Sequence, residues 1–193
     1  MSATNEKVRI HPTAIVEDGA IIGEGTMVWH HAHVRSGAVL GRKCILGKGV
    51  YVDEGVKVGN GVKIQNRVSL YHGVVVGNNV FLGPHAVFTN DKHPRAFNQD
   101  WEIVNTTIED GASIGANAVI VCGITIGKFA MVGSGSVVTR DVPPHALAYG
   151  NPALIQGYVC KCGSKRFPLG NGSPEVHSRE CTKCKRILKG WIA

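Results

Sequence analysis

Two groups of side chains in this sequence have the types and spacing for chemistry. The first is Asn90, Asp91 and His93, gathered within four positions. A side-chain amide can orient a reactant or donate to an oxyanion. A carboxylate can accept a hydrogen bond from an amine, and an imidazole has the ordinary pKa of a general base. Together they match what acyl transfer from a thioester needs: a deprotonated nucleophile, donors for the tetrahedral oxyanion, and alignment. The competing account is turn chemistry alone, since Asn-Asp and His-Pro both favour turns. The second group is Cys160-Lys161-Cys162 followed, eighteen residues on, by Cys181-Thr182-Lys183-Cys184. Paired knuckles of this kind read as a tetrahedral zinc site with four thiolate ligands. The first pair is one residue short of Cys-x-x-Cys, while Gly163 after it suits a knuckle turn. A disulfide pair is the rival, and His177 is an alternative ligand. Four thiolates leave no open position, so such a metal would be structural.

Side chains of this kind work only where the backbone holds them, and a period of six organises most of this backbone. Fourteen positions, stepping by six from Ile10 to Phe88, all carry a large apolar residue. The next step lands on Pro94, and the pattern resumes in a new frame at Ile108, Ile114, Ile120, Ile126, Val132 and Val138. The residue two before each is mostly small or β-branched, as Ala32, Ala38, Cys44 and Val50 are. The residue after is often glycine, as at Gly41, Gly47, Gly83 and Gly115. A period of six fits neither the α-helix nor a long strand. It fits a short strand, a turn and another short strand, with residues two apart facing one side. The glycine is expected to let the chain bend sharply. Three such sides close a triangular coil, and coils stack at about 4.8 Å with every backbone group paired above and below. The expected fold is all-β: a parallel β-helix of about seven coils.

Composition narrows the partners. Twenty-five glycines without a Gly-x-y period exclude collagen and imply many tight turns. The formal charge of +7 suits a polyanionic ligand such as a nucleotide or CoA. There is no block of five or more Lys/Arg and no basic stripe interleaved with aromatics, so nucleic acid is not an expected partner. No run of about 18 apolar residues is present, so no membrane span is expected. Residues 1–9 are polar and lack a signal-peptide core, which makes the cytoplasm the expected location.

The one interruption of the repeat, residues 89–107, holds the Asn90 group. A loop this long in a compact repeat protein is commonly functional. It carries Phe97 and Trp101, which suit packing against a neighbouring subunit better than disorder. Asn66, Tyr71 and His85, with Gln65 and His72, break the glycine pattern on nearby coils and are candidates to line a substrate pocket beside it. The expected organisation is a tail over 1–9, a β-helix over 10–142 with its inserted loop, a connector over 143–159, and a zinc-knuckle-like appendage over 160–193.

The hexad Ile114-Gly115-Ala116-Asn117-Ala118-Val119 resembles those of the hexapeptide-repeat acyltransferases. That resemblance implies left-handed winding, an exception to the right-handed crossover rule. A closer set of segments is Ile10-His11-Pro12-Thr13-Ala14, Val28-Trp29-His30, Tyr51-Val52-Asp53-Glu54-Gly55-Val56, Lys63-Ile64-Gln65-Asn66, Phe88-Thr89-Asn90-Asp91 and Gly150-Asn151-Pro152-Ala153. It is similar to the bacterial nucleotide-sugar N-acetyltransferases of surface-polysaccharide (lipopolysaccharide and O-antigen) synthesis. The UDP-2-acetamido-3-amino-2,3-dideoxyglucuronate 3-N-acetyltransferases are the nearest in type. The dTDP-3-amino-3,6-dideoxyhexose enzymes are similar through Asn90-Asp91-Lys92 and Pro94-Arg95, which adds Arg95 to the substrate-binding candidates.

The resemblance implies acetyl transfer from acetyl-CoA to the amine of a UDP- or dTDP-linked sugar. It also implies a homotrimer with acetyl-CoA between adjacent helices, and a catalytic or orienting role for Asn90. In the nearest relatives the amine arrives unprotonated and the proton ends on the departing sulfur. His93-Pro94, however, is similar to the His-Pro of xenobiotic, maltose and galactoside acetyltransferases, where the histidine is the base, so both roles stay open. The family's CoA contacts fall on Ala116, Ser134, Thr139, Arg140 and Pro152 here. Leu154 stands where Arg or Lys is frequent, leaving Lys128 as a substitute cation. Three alternatives remain. A γ-carbonic-anhydrase-like metalloenzyme would need His72, His85 and His93 to converge. The others are an O-acetyltransferase on the same scaffold and a non-enzymatic scaffold.

Overall fold

The computed structural model describes residues 7–163, 166–168, 181 and 183–185. Every regular element among them is a strand, and twenty strands of two or three residues run from Arg9–Ile10 to Val137–Val138. They stack as three parallel sheets, one on each side of a triangular coil. In the first sheet Ile10, Val28, Leu46, Ile64 and Leu82 pair in sequence. In the second, Val16, Val34, Val52 and Leu70 do so. In the third, Ile22, Leu40, Val58 and Val76 do. Each step is 18 residues, three hexads per coil. Across the interruption the step grows to 32 residues, yet Leu82 still pairs with Ile114, Phe88 with Ile120 and Val76 with Ile108. The loop therefore leaves the corner between the second and third sheets without disturbing register.

From Val28 onward the large residue of each hexad is buried together with the residue two before it. Leu46, Ile64, Leu70, Leu82, Phe88, Ile114 and Ile120 are fully buried among Ala32, Ala38, Val50, Val62 and Ala86. Each such large side chain stabilises the folded state by about 1.5–3 kcal/mol through burial.

The glycines work differently from the expectation. The bend lies three residues after the large one, where φ is positive at every corner from Gly19 to Asn79 whatever the residue, including His31, Lys43 and Arg67. The glycine directly after the large residue serves coil stacking instead. A Cβ on Gly115 would lie 2.4 Å from Ser134 N, and one on Gly83 would lie 2.6 Å from Ala116 N. The coil spacing leaves no room for a side chain there.

Past the hexads the helix begins an eighth coil. Val142 bridges to Ile126, and Ala146–Gly150 pairs parallel to Met131–Val132. The chain then turns at the cis Asn151–Pro152 bond and returns antiparallel as Ala153–Val159. Residues 143–159, expected as a connector, thus close the coil and extend its first sheet. Arg166–Pro168 adds a further antiparallel strand.

Candidate active site

The loop starts where the second sheet ends. Thr89 N–H donates to the Ile120 carbonyl at 3.0 Å, and Thr89 Oγ1 accepts from Cys122 N–H at 2.9 Å. Asn90 follows directly, and its carbonyl accepts from Val104 N–H at 3.0 Å, which closes the base of the loop. The strand Thr106–Ile108 then resumes the third sheet, two residues before the end expected from the repeat. Two glycines seat this base. Gly73 on the coil below lies under Ile103 and Asn105, and Gly123 on the coil above lies against Lys92 and Val104. Side chains at either would collide with these residues.

Within the loop, Asp91 Oδ1 accepts from His93 N–H at 2.7 Å, and Asn98 Oδ1 accepts from Asp100 N–H at 3.0 Å. Both are side-chain turns of the kind Asx residues form. A cleft of about 480 Å³ is lined by Asn90, Asp91, Pro94, Arg95, Asn98 and Trp101. Three candidates, Asn90, Asp91 and Arg95, are therefore brought together. His93 is exposed and does not line this cleft.

Tyr71 sits at the same edge, its ring 5.8 Å from that of Tyr51. Beneath them lies a network that hexad reading passed over. Burial opposes ionisation of Asp53, but hydrogen bonds from Glu54 N–H, Arg35, Tyr51 and His72 N–H outweigh it and hold the carboxyl below its ordinary range. The Arg35–Asp53 contact is 2.9 Å and the Tyr51–Asp53 contact 3.0 Å. Glu17 extends the column, bonded to His33 at 2.7 Å. The signal was present in the sequence at a step of 18: Glu17, Arg35, Asp53 and Tyr71 occupy equivalent positions on successive coils.

The other candidates spread over different edges. Asn66 and His85 lie at the first-to-second corner, where Asn66 Oδ1 accepts from Lys48 N–H at 2.9 Å and His85 N–H donates to the Asn66 carbonyl at 3.0 Å. Ala116 and Ser134 share that corner on later coils, joined through Gly135 N–H to the Ala116 carbonyl at 2.8 Å. Ser134 lines a second cleft of about 580 Å³ with Phe81, Ser113, Met131, Leu147 and Tyr149. Thr139 and Arg140 are exposed at the loop's own corner. By register Arg140 stands two coils above Asn90, roughly 10 Å away at the strand spacing. Pro152 sits in the terminal hairpin turn. Within one chain, then, the acyl-donor candidates divide between two edges and one end. The three histidines of the metalloenzyme alternative divide likewise, with His85 on a different corner from His72 and His93.

Beyond the terminal hairpin, Cys160, Cys162, Cys181 and Cys184 place their sulfurs within 4.8 Å of one another. Among the described residues they are the one group of three or more His, Cys, Asp or Glu side chains placed to hold a metal ion. Burial pushes the Cys160 thiol up to about 12; the Cys162 N–H opposes this and the neighbouring thiols add to it. His177 lies outside the described residues. Cys44 and Cys122 are buried singly.

The family model of the bacterial transferase hexapeptide (six repeats) matches residues 19–54, 55–90 and 105–140. The chain belongs to this family. Membership carries the left-handed sense of winding, and the match itself breaks at the loop. Among curated relatives, the dTDP-3-amino-3,6-dideoxy-α-D-galactopyranose 3-N-acetyltransferase of Aneurinibacillus thermoaerophilus is 70% identical over 60 residues, 31% of each chain. The bifunctional protein GlmU of Thermotoga maritima is 40% identical over 89 residues, 45% of this chain and 18% of that one. These matches span less than a third of either relative. Among solved structures, PerB of Caulobacter crescentus, in complex with CoA and GDP-perosamine, superposes with a TM-score of 0.53 at 26% identity, covering 79% of this chain and 58% of that one. The acetyltransferase domain of PglB from Neisseria gonorrhoeae gives 0.51 at 26% identity, covering 78% and 58%.

Proposed function

We propose that the protein is an acetyl-CoA-dependent N-acetyltransferase acting on the amine of a nucleotide-linked amino sugar. The observation that carries this reading is the break in the helix. It places Asn90 and Asp91 in one cleft at a single edge of a hexapeptide-transferase helix, and a dTDP-amino-sugar N-acetyltransferase shares 70% identity with the chain over 60 residues.

In this reading Asp91 accepts a hydrogen bond from the sugar amine and holds its lone pair toward the thioester. The nitrogen bonds to the carbonyl carbon, and the Asn90 amide donates to the oxyanion. The C–S bond then breaks, and CoA leaves with the electron pair and takes up the amine's proton. His93, outside the cleft in one chain, has no required part. Thr139 and Arg140 hold donor phosphates, Ala116 and Ser134 the pantetheine arm, and Pro152 packs near the adenine end. Arg95, Tyr71, Asn66 and His85 contact the nucleotide sugar.

Because these residues occupy different edges of one chain, the complete site forms between neighbouring copies, in a homotrimer. Phe97, 82% exposed on the loop, supplies apolar surface for that contact. In this reading the enzyme works in the cytoplasm. Zinc, held by the four C-terminal cysteines, has a structural part.

Thiol release from acetyl-CoA, followed against a panel of UDP- and dTDP-linked amino sugars, tests the proposal. Turnover with at least one of them is expected. No turnover with any amine, together with no acetyl-CoA binding, would overturn it.

A further inference from the structure

The cysteine cluster has more structure than a set of nearby thiols. Cys160 and Cys184 sulfurs are 3.3 Å apart, and those of Cys162 and Cys181 are 3.6 Å apart. Four thiolates at about 2.3 Å from one zinc ion stand roughly 3.8 Å from each other, so the spacing fits. The backbone is prepared twice over. Gly163 and Lys185, each directly after the second cysteine of its pair, have φ of 69° and 57°. Gly163 N–H donates to the Cys160 carbonyl at 2.7 Å, and Lys185 N–H to the Cys181 carbonyl at 2.8 Å. Two separate segments thus make tight turns, one closed over three residues and the other over four, that bring their sulfurs to one point. For Lys185 the left-handed conformation is unfavourable by itself. A zinc tetrathiolate carries two negative charges, and Lys161, Lys183 and Lys185 stand within or beside the pairs to offset them.

This knuckle also touches the coil. Lys161 Nζ lies 4.7 Å from the centre of the Phe129 ring. Gly163 packs against Met131, with only 3.3 Å between its Cβ position and the Met131 Cε. Met131 lines the 580 Å³ cleft with Leu147 and Tyr149 of the terminal strand. Cys160 directly follows Ala153–Val159, the partner of that strand. The geometry points to one zinc ion bound by the four cysteines that fixes the terminal strand pair as a wall of this cleft. The second part rests on the reading that the cleft takes the pantetheine arm of acetyl-CoA.

The purified full chain, expressed with zinc, tests both parts by elemental analysis, cobalt exchange and calorimetric titration with acetyl-CoA. Cys162→Ser, Cys184→Ser and chelation of the wild-type chain each remove the metal, so the test does not depend on one variant folding. Cys122→Ser controls for loss of any thiol. About one zinc per chain is expected, with thiolate-to-cobalt absorption after exchange. The metal should be lost in both knuckle variants but kept in Cys122→Ser, and metal loss should weaken acetyl-CoA binding on the order of tenfold. A zinc-grown chain without stoichiometric metal overturns the site. Zinc that leaves without changing acetyl-CoA affinity overturns the wall. Zinc bound as expected in a wild-type chain with no acetyl-CoA affinity overturns the transferase reading, and the wall with it, while the metal site stands.

Discussion

Asn90 and Asp91 were legible in the sequence because they sit where the hexads stop, and the structure gives them a shared cleft. Asn90→Ala should lower kcat by about 10²–10³, the usual loss for one oxyanion donor, and leave assembly unchanged. Steady-state kinetics beside light scattering checks this, and wild-type rates would remove Asn90 from the mechanism. Asp53 was not legible, because Arg35 and His72 reach it from neighbouring coils, and only a step of about 18 aligns them. Its depressed carboxyl stabilises the fold above the ordinary value of 3.8, and that contribution is lost as pH falls through the lower folded value. Asp53→Asn should therefore cost about 1.5–3 kcal/mol at neutral pH. The deficit should shrink below pH 3.8. Thermal melts of both proteins across pH measure the difference.

At the scale of elements, periodicity exposed the strands and their inward faces, because burial in a coil selects one large and one small residue per side. It did not expose the turns. Left-handed φ falls on Gly49 and Arg67 alike, since the corner imposes the conformation and the side chain only tolerates it. The glycine after the large residue is instead required by the coil above. Gly115→Ala and Gly135→Ala separate the two roles. Gly115 has Ser134 N in the way at 2.4 Å, whereas Gly135 has φ of 69° and no neighbour within 4 Å. Gly135→Ala should cost about 1–2 kcal/mol, from backbone strain alone. Gly115→Ala should cost clearly more, because two coils must separate. Denaturant unfolding of the two variants compares them, and equal costs would contradict the stacking role.

For the whole molecule, the fold could be read from the sequence but the complete site could not. A repeat specifies one chain's coil, while in the proposed reading the candidates on separate edges meet between chains packed side by side. Light scattering should give three times the chain mass, and a monomer with full activity would contradict a site shared between copies. Acetyl-CoA, the purified chain and a dTDP- or UDP-linked 3-amino sugar, followed by mass spectrometry and NMR of the nucleotide sugar, test N-acetyl transfer directly. One added acetyl group, on the amine nitrogen, is expected. An acetyl group on a hydroxyl, or an unchanged sugar across the panel, would contradict it.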